Sequence, residues 1–170
     1  MKLKKNLVLL GMMGCGKSTI GRLLAKKLDF RFIDIDAEIE NKTNTKITEL
    51  FKKNGEASFR RLEQKTSLHF LSKINCVISL GGGGFINDII RSETEKKSIT
   101  FWLNWKNKTL IERIRNNKKR PLTLHLNDYK LKNLMNTRSE IYSKSKYKIE
   151  CENMTKLEIA NEIMRIYENI

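Results

Sequence analysis

Short apolar runs alternate along this chain with stretches whose apolar residues recur every three or four positions. Asn6–Leu10 is one such run, NLVLL, of the length of a buried strand. The stretch Lys17–Leu28 then places Ile20, Leu23, Leu24 and Leu28 on one face of a helix. The same reading predicts further strands over residues 30–35, 75–80, 98–103 and 147–151. It predicts helices over 37–40, 47–53, 56–72, 86–96, 108–116, 129–143 and 156–167, with Gly55 ending the third of these eight helical stretches. Only residues 117–127 break the pattern. They hold three consecutive cations, the single proline Pro121 and little periodicity, as a mobile segment would. Strands alternating with helices imply an α/β fold in three layers, a parallel sheet flanked by helices. One domain over residues 1–170 is expected, since no repeat or low-complexity linker divides the chain.

Composition narrows the class. Hydrophobic residues at 39% and charged residues at 31% are those of an ordinary globular protein. No apolar run approaches the ~20 residues that span a bilayer. The basic start, residues 1–5, is followed by an apolar stretch of only residues 7–10, too short for a secretory signal, so a cytoplasmic location is expected. Cys15, Cys76 and Cys151 are far apart and form no CxxC pair, which suggests neither a zinc site nor a disulfide framework. Cys76 and Cys151 read as small core residues. Cys15 lies in an electropositive loop, where a thiol is expected to oxidise more easily. The net charge of +15 raises the question of nucleic acid. The lysines are scattered, however, with no dense stripe and no interleaved aromatics, so no nucleic-acid partner is expected. Anionic small molecules remain the natural partners of such a surface.

The clearest chemistry sits at residues 11–18, GMMGCGKS, which match GxxxxGK[ST] between a strand and a helix. In that context the backbone N–H groups of Gly14, Cys15, Gly16, Lys17, Ser18 and Thr19 can cradle the phosphates of ATP. Lys17 would reach the β- and γ-phosphates and the Ser18 hydroxyl would ligate Mg²⁺. Switch GTPases and motor ATPases carry a Mg²⁺-holding aspartate at the end of another strand. Here the third strand ends in Ser79-Leu80-Gly81, without a carboxylate. The acids come instead at Asp34 and Asp36, which strand alternation would put on one side. Asp36 could equally be the N-cap of a helix at Ala37.

Three further features point to an acceptor pocket: Arg60 and Glu63 in FRRLE, the run Gly81-Gly82-Gly83-Gly84 after a buried strand, and Arg138 in RSEIY. Glycines there let a ligand approach the backbone closely. In order, GMMGCGKSTIGR, FIDID, GEASFRRLE, SLGGG, Arg120-Pro121-Leu122 and RSEIY make the chain resemble the shikimate kinases along nearly its whole length. The resemblance implies a P-loop kinase fold related to nucleoside monophosphate kinases, with a five-stranded parallel sheet in the order 2-3-1-4-5. It implies a phosphate loop at 11–18, a shikimate-binding region at about 34–63 and a mobile lid at about 114–127.

It further implies transfer of the ATP γ-phosphoryl group to the 3-hydroxyl of shikimate by a monomer, on the route to chorismate and the aromatic amino acids. Asp36 would hold the ring hydroxyls and accept the proton, and Asp34 would act near Mg²⁺ through water. Arg60 and Arg138 would clamp the carboxylate, with Glu63 orienting Arg60, the Gly82 backbone facing the ring, and Phe51 and Phe59 lining the pocket. Lys17 and Arg120 would join Asp36 in catalysis, Arg120 reaching the γ-phosphate from the lid, and Arg113 would pack on the adenine. The loop at residues 152–155, ENMT, departs from the family pattern, having neither the basic residue nor the proline common there. His69 and His125 read as structural. Two rival readings remain: a kinase of the same architecture acting on another hydroxylated acid such as gluconate, and a non-catalytic nucleic-acid-binding P-loop protein.

Overall fold

The computed structural model describes residues 5–116 and 126–170. Strand β1 (Asn6–Leu10) leads through the phosphate loop into helix α1 (Lys17–Leu28), and β2 (Arg31–Asp34) into α2 (Ile35–Thr43) and α3 (Ile47–Leu71). Next come β3 (Cys76–Ser79), a 3₁₀ turn at Gly84–Ile86, α4 (Asp88–Lys97), β4 (Ser98–Asn104) and α5 (Asn107–Arg115). Helix α6 (Asp128–Tyr142), β5 (Tyr147–Glu150) and α7 (Lys156–Glu168) complete the order. The five strands form one sheet, β2-β3-β1-β4-β5, and every neighbouring pair is parallel.

The expected architecture is therefore the one observed, and burial explains it. All five residues of β1 are buried, as a central strand covered on both faces requires. Asn6, itself buried, ties β1 to the start of β3. Its carboxamide accepts from the Cys76 N–H at 2.9 Å and donates to the Lys73 carbonyl at 2.6 Å. Helix α1 presses Ile20, Gly21, Leu24 and Ala25 inward. At Gly21 a methyl group would stand only 2.3 Å from the Phe32 ring, so glycine there allows α1 and β2 to pack closely. Side-chain caps start the later helices: Asn87 accepts from the Ile89 and Ile90 N–H groups, Asn127 from Lys130, and Thr155 forms a capping box with Glu158. No helix of the described residues is long and apolar enough to cross a membrane.

Two local differences from the sequence reading matter for the site. The second strand stops at Asp34 and α2 begins at Ile35 with no loop between them. Asp34, not Asp36, is the N-cap, its carboxylate accepting from the Ala37 N–H at 3.5 Å. Gly55 breaks α3 as expected, with φ 74° and ψ 170°, a conformation only glycine adopts at ease. Of the lid expected at about 114–127, residues 114–115 belong to α5, and its middle, with Arg120, Pro121, Leu122 and His125, lies outside the described residues.

Candidate active site

The parallel sheet opens its C-terminal edge onto one cavity of about 1140 Å³. The phosphate loop after β1 forms one wall. Gly11, Gly14 and Gly16 take φ values of 139°, 82° and 96°, in the region that favours glycine. At Gly11 a methyl group would also meet Cys15 Sγ at 2.9 Å and the Leu103 carbonyl at 3.0 Å. Gly14, Gly16, Lys17, Ser18 and Thr19 all line the cavity. Lys17 Nζ donates to the Gly11 and Met12 carbonyls at 2.7 and 3.0 Å.

Cys15 departs from expectation. Its side chain is fully buried in the core and absent from the cavity lining, so its thiol is shielded from oxidants, and its backbone N–H donates to the Met12 carbonyl at 3.2 Å.

Ser18 and Asp34 meet directly, the hydroxyl donating to the carboxylate at 2.5 Å. The two sequence-predicted metal-side residues thus form a pair of hard oxygen donors facing the cavity, a set suited to Mg²⁺. Among the described residues no group of three or more His, Cys, Asp or Glu could hold a metal by itself. That fits an ion which keeps several waters and shares its coordination with phosphates.

The same cavity is lined by the residues expected to serve an acceptor. Asp36 enters from the first turn of α2, Arg60 and Glu63 from α3, and Arg138 from α6. Glu63 is 2% exposed, and its carboxylate accepts from Arg60 Nη1 at 2.7 Å. Arg60 also donates to Glu56 at 3.3 and 3.1 Å. Burial works against the Arg60 charge, but Glu63 and Glu56 outweigh it and hold the guanidinium more firmly protonated than usual. The rings of Phe51 and Phe59 pack with centroids 4.6 Å apart in the same lining.

The glycine run lines the cavity at Gly82 and Gly83, and it does something the sequence did not show. Its missing side chains leave room for the protein's own functional groups. A methyl group at Gly81 would stand 2.6 Å from Asp36 Oδ1 and 2.8 Å from Glu63 Oε1. One at Gly83 would lie 2.4 Å from Arg60 Nη1, and one at Gly82 would lie 3.1 Å from Arg138 Nη1. Four side chains, two acidic and two basic, therefore converge on one turn.

Two supporting residues were missed in the sequence. Tyr142, nearly fully buried, donates its hydroxyl to the Gly82 carbonyl at 2.5 Å, and burial pushes its phenol far above the usual range. Its position four residues after Arg138, hence on the same helical face, was the available signal. Trp105, directly after β4, donates its indole N–H to the Cys15 carbonyl at 3.0 Å. Arg113 does stand beside the phosphate loop, its guanidinium 3.7 Å above the Trp105 ring. In the atypical loop at 152–155, Glu152 accepts from the Thr109 hydroxyl and the Lys106 N–H, contacts that hold its carboxyl below the usual range.

Comparison with known proteins agrees with this geometry. A shikimate kinase of Persephonella marina is 40% identical over 161 residues, 94% of this chain and 97% of the relative. The structure of shikimate kinase from Acinetobacter baumannii in complex with shikimate superposes with a TM-score of 0.91 at 32% identity, covering 97% of this chain and 93% of that one. Shikimate kinase from Aquifex aeolicus superposes at 0.86 with 34% identity, covering 96% of each chain. The family model for shikimate kinase matches residues 13–168, and the chain belongs to the shikimate kinase family.

Proposed function

We propose that this chain phosphorylates the 3-hydroxyl of shikimate with ATP, in the synthesis of chorismate and the aromatic amino acids. One observation carries the reading: the phosphate loop and two arginines, one of them paired with the buried Glu63, line a single cavity. A loop of that type takes a triphosphate, and two guanidiniums suit a carboxylate. The structure of the Acinetobacter baumannii relative carries shikimate itself.

The roles follow from position. Arg60 and Arg138 bind the shikimate carboxylate, and Glu63 keeps the Arg60 fork aimed into the cavity. Asp36 accepts the proton of the 3-hydroxyl as that oxygen bonds to the γ-phosphorus and the bond to the β-phosphate oxygen breaks, releasing ADP. Lys17 exchanges its loop carbonyls for β- and γ-phosphate oxygens. Gly14, Cys15, Gly16, Ser18 and Thr19 contribute backbone donors, and Arg113 flanks the base side. Ser18 and, through water, Asp34 would hold Mg²⁺, which neutralises charge on the phosphates. Arg120 completes the γ-phosphate contacts in the family resemblance. Both walls come from one chain, which supports action as a monomer, and the three unpaired cysteines support a reducing cytoplasm.

The test is a coupled ADP-release assay over a panel of hydroxy acids that includes shikimate and gluconate. Turnover with shikimate is expected, and turnover with gluconate alone would refute the reading. Asp36→Ala should abolish transfer while nucleotide still binds. Arg60→Ala should raise the KM for shikimate roughly 10- to 150-fold, the worth of one charged hydrogen bond, and leave that for ATP near normal. An unchanged shikimate KM would remove Arg60 from the clamp.

A further inference from the structure

The phosphate side of the cavity depends on which way each peptide of the loop faces. A trans peptide is planar, so its carbonyl and the N–H of the next residue point in opposite directions. Every N–H turned toward a phosphate therefore leaves a carbonyl turned away, and that carbonyl needs a donor behind it.

Several donors serve these carbonyls, among them the Cys15 N–H, which reaches the Met12 carbonyl at 3.2 Å. The Gly11 and Met12 carbonyls take Lys17 Nζ, a flexible charged group. The Cys15 carbonyl takes the indole N–H of Trp105, a ring only 8% exposed and 90 residues away in sequence. Cys15 O and the Gly16 N–H belong to the same peptide. With the oxygen held by Trp105, the Gly16 N–H faces the other way, on the side of the cavity that Gly16 lines. Restraint is needed at this point. Gly16 sits at φ 96°, has no side chain to oppose rotation, and closes a segment that already contains Gly14 at φ 82°. The ring is itself packed, only 8% exposed, with the Arg113 guanidinium over its face at 3.7 Å.

We infer that Trp105 is a positioning residue of the phosphate loop: its indole N–H fixes the Cys15–Gly16 peptide so that the Gly16 N–H faces the phosphates. The inference rests on the ATP-binding reading above, but it can be tested without an acceptor. Inorganic pyrophosphate is the probe, since it engages the loop and makes no contact with the base side.

Trp105→Phe removes the donor and shrinks the ring while leaving an aromatic face for Arg113 to stack on. Calorimetric titration should show pyrophosphate affinity falling about 3- to 12-fold, as expected for one neutral hydrogen bond. The KM for ATP should rise by the same factor and the KM for shikimate should stay within twofold. Pyrophosphate affinity within twofold of the native protein overturns the inference, as does an equal rise in both KM values, which marks general loosening. If pyrophosphate binds neither protein, the ATP-site reading falls as well. The native protein gives a second measurement that does not depend on the variant folding. It has two tryptophans, so Trp102→Phe assigns the indole N–H signals in ¹⁵N spectra. Pyrophosphate should slow solvent exchange of the Trp105 indole proton, and an unchanged exchange rate overturns the inference.

Discussion

Replacing Gly81 by alanine adds one methyl group at the point where two carboxylates approach the chain. Gly81 lies outside the left-handed region, so alanine meets no backbone strain and the effect is steric. The new Cβ would stand 2.6 Å from Asp36 Oδ1 and 2.8 Å from Glu63 Oε1, where ordinary contact begins at 3.4 Å. The shortfalls are about 0.8 and 0.6 Å. Glu63 has little freedom to retreat, being 2% exposed and bonded to Arg60 at 2.7 Å. Asp36 must therefore absorb most of the displacement. A shift near 1 Å in a group that has to meet a reacting proton costs roughly 100-fold in rate. Overpacking itself costs about 1–3 kcal/mol, and each kcal/mol lowers Tm by about 2–4 °C at this chain length.

The expected variant thus melts somewhat lower, binds nucleotide normally and turns over about 100-fold more slowly with both substrates saturating. Gly84→Ala is the control, since its methyl group would meet nothing closer than 3.6 Å and should leave kcat near the native value. A Gly81→Ala enzyme with kcat within threefold of native would refute the placement of Asp36 at the reacting hydroxyl.

Two further outcomes follow from the same geometry. Glu63→Gln replaces the charged partner of Arg60 with a neutral one. Arg60 is one-third exposed and keeps Glu56 at 3.1 Å, so the loss falls at the low end of roughly 1.5–3 kcal/mol. The KM for shikimate should rise about tenfold with that for ATP within twofold, and full two-substrate kinetics showing no change would mean that Glu56 alone aligns the arginine. For the cysteines, Cys15, Cys76 and Cys151 are all buried, and burial raises the Cys76 thiol and pushes that of Cys151 up to about 12. The reactive species is the thiolate, and at pH 8 a group shifted upward stays protonated. A thiol-reactive dye should therefore find no fast-reacting cysteine in the folded protein and three after unfolding in guanidinium. A fast thiol in the folded state would contradict the packing of the loop against β4.

The parallel sheet was legible because short runs alternate with helical periods, while its strand order came only from the family resemblance, since the half-exposed edge strands β2 and β5 carry no mark of their neighbours. The phosphate loop was legible for a local reason: its glycines, Lys17 and Ser18 are consecutive, and adjacency in sequence guarantees adjacency in space. Asp34 and Asp36 show where local reasoning fails. The alternation rule put both on one strand, yet the N-cap preference of aspartate ended the strand at Asp34 and turned Asp36 into a first-turn helix residue. Both still line the cavity, by a different route. Trp105 was invisible as a site residue because its partner is a backbone carbonyl of a distant segment, which leaves no mark on sequence composition, whereas Tyr142 offered only its helical spacing from Arg138.

The glycine run shows why the two walls work as one site. Each functional group is brought by the C-terminal end of a strand or by a helix beside it, and the turn after β3 is where they meet. Asp36 and Glu63 crowd Gly81, Arg60 crowds Gly83, and Arg138 approaches Gly82 while also lying 3.7 Å from the Met12 sulfur of the phosphate loop. Tyr142 fixes the Gly82 carbonyl from beneath. A displacement of this turn therefore moves Asp36, Arg60, Arg138 and a residue of the phosphate loop together. That shared dependence is reinforced by attraction between the opposite charges, since Glu63 holds Arg60 at 2.7 Å beside the same turn. It also makes Gly81, Gly82 and Gly83 positions where one added methyl group should impair transfer more than it impairs folding.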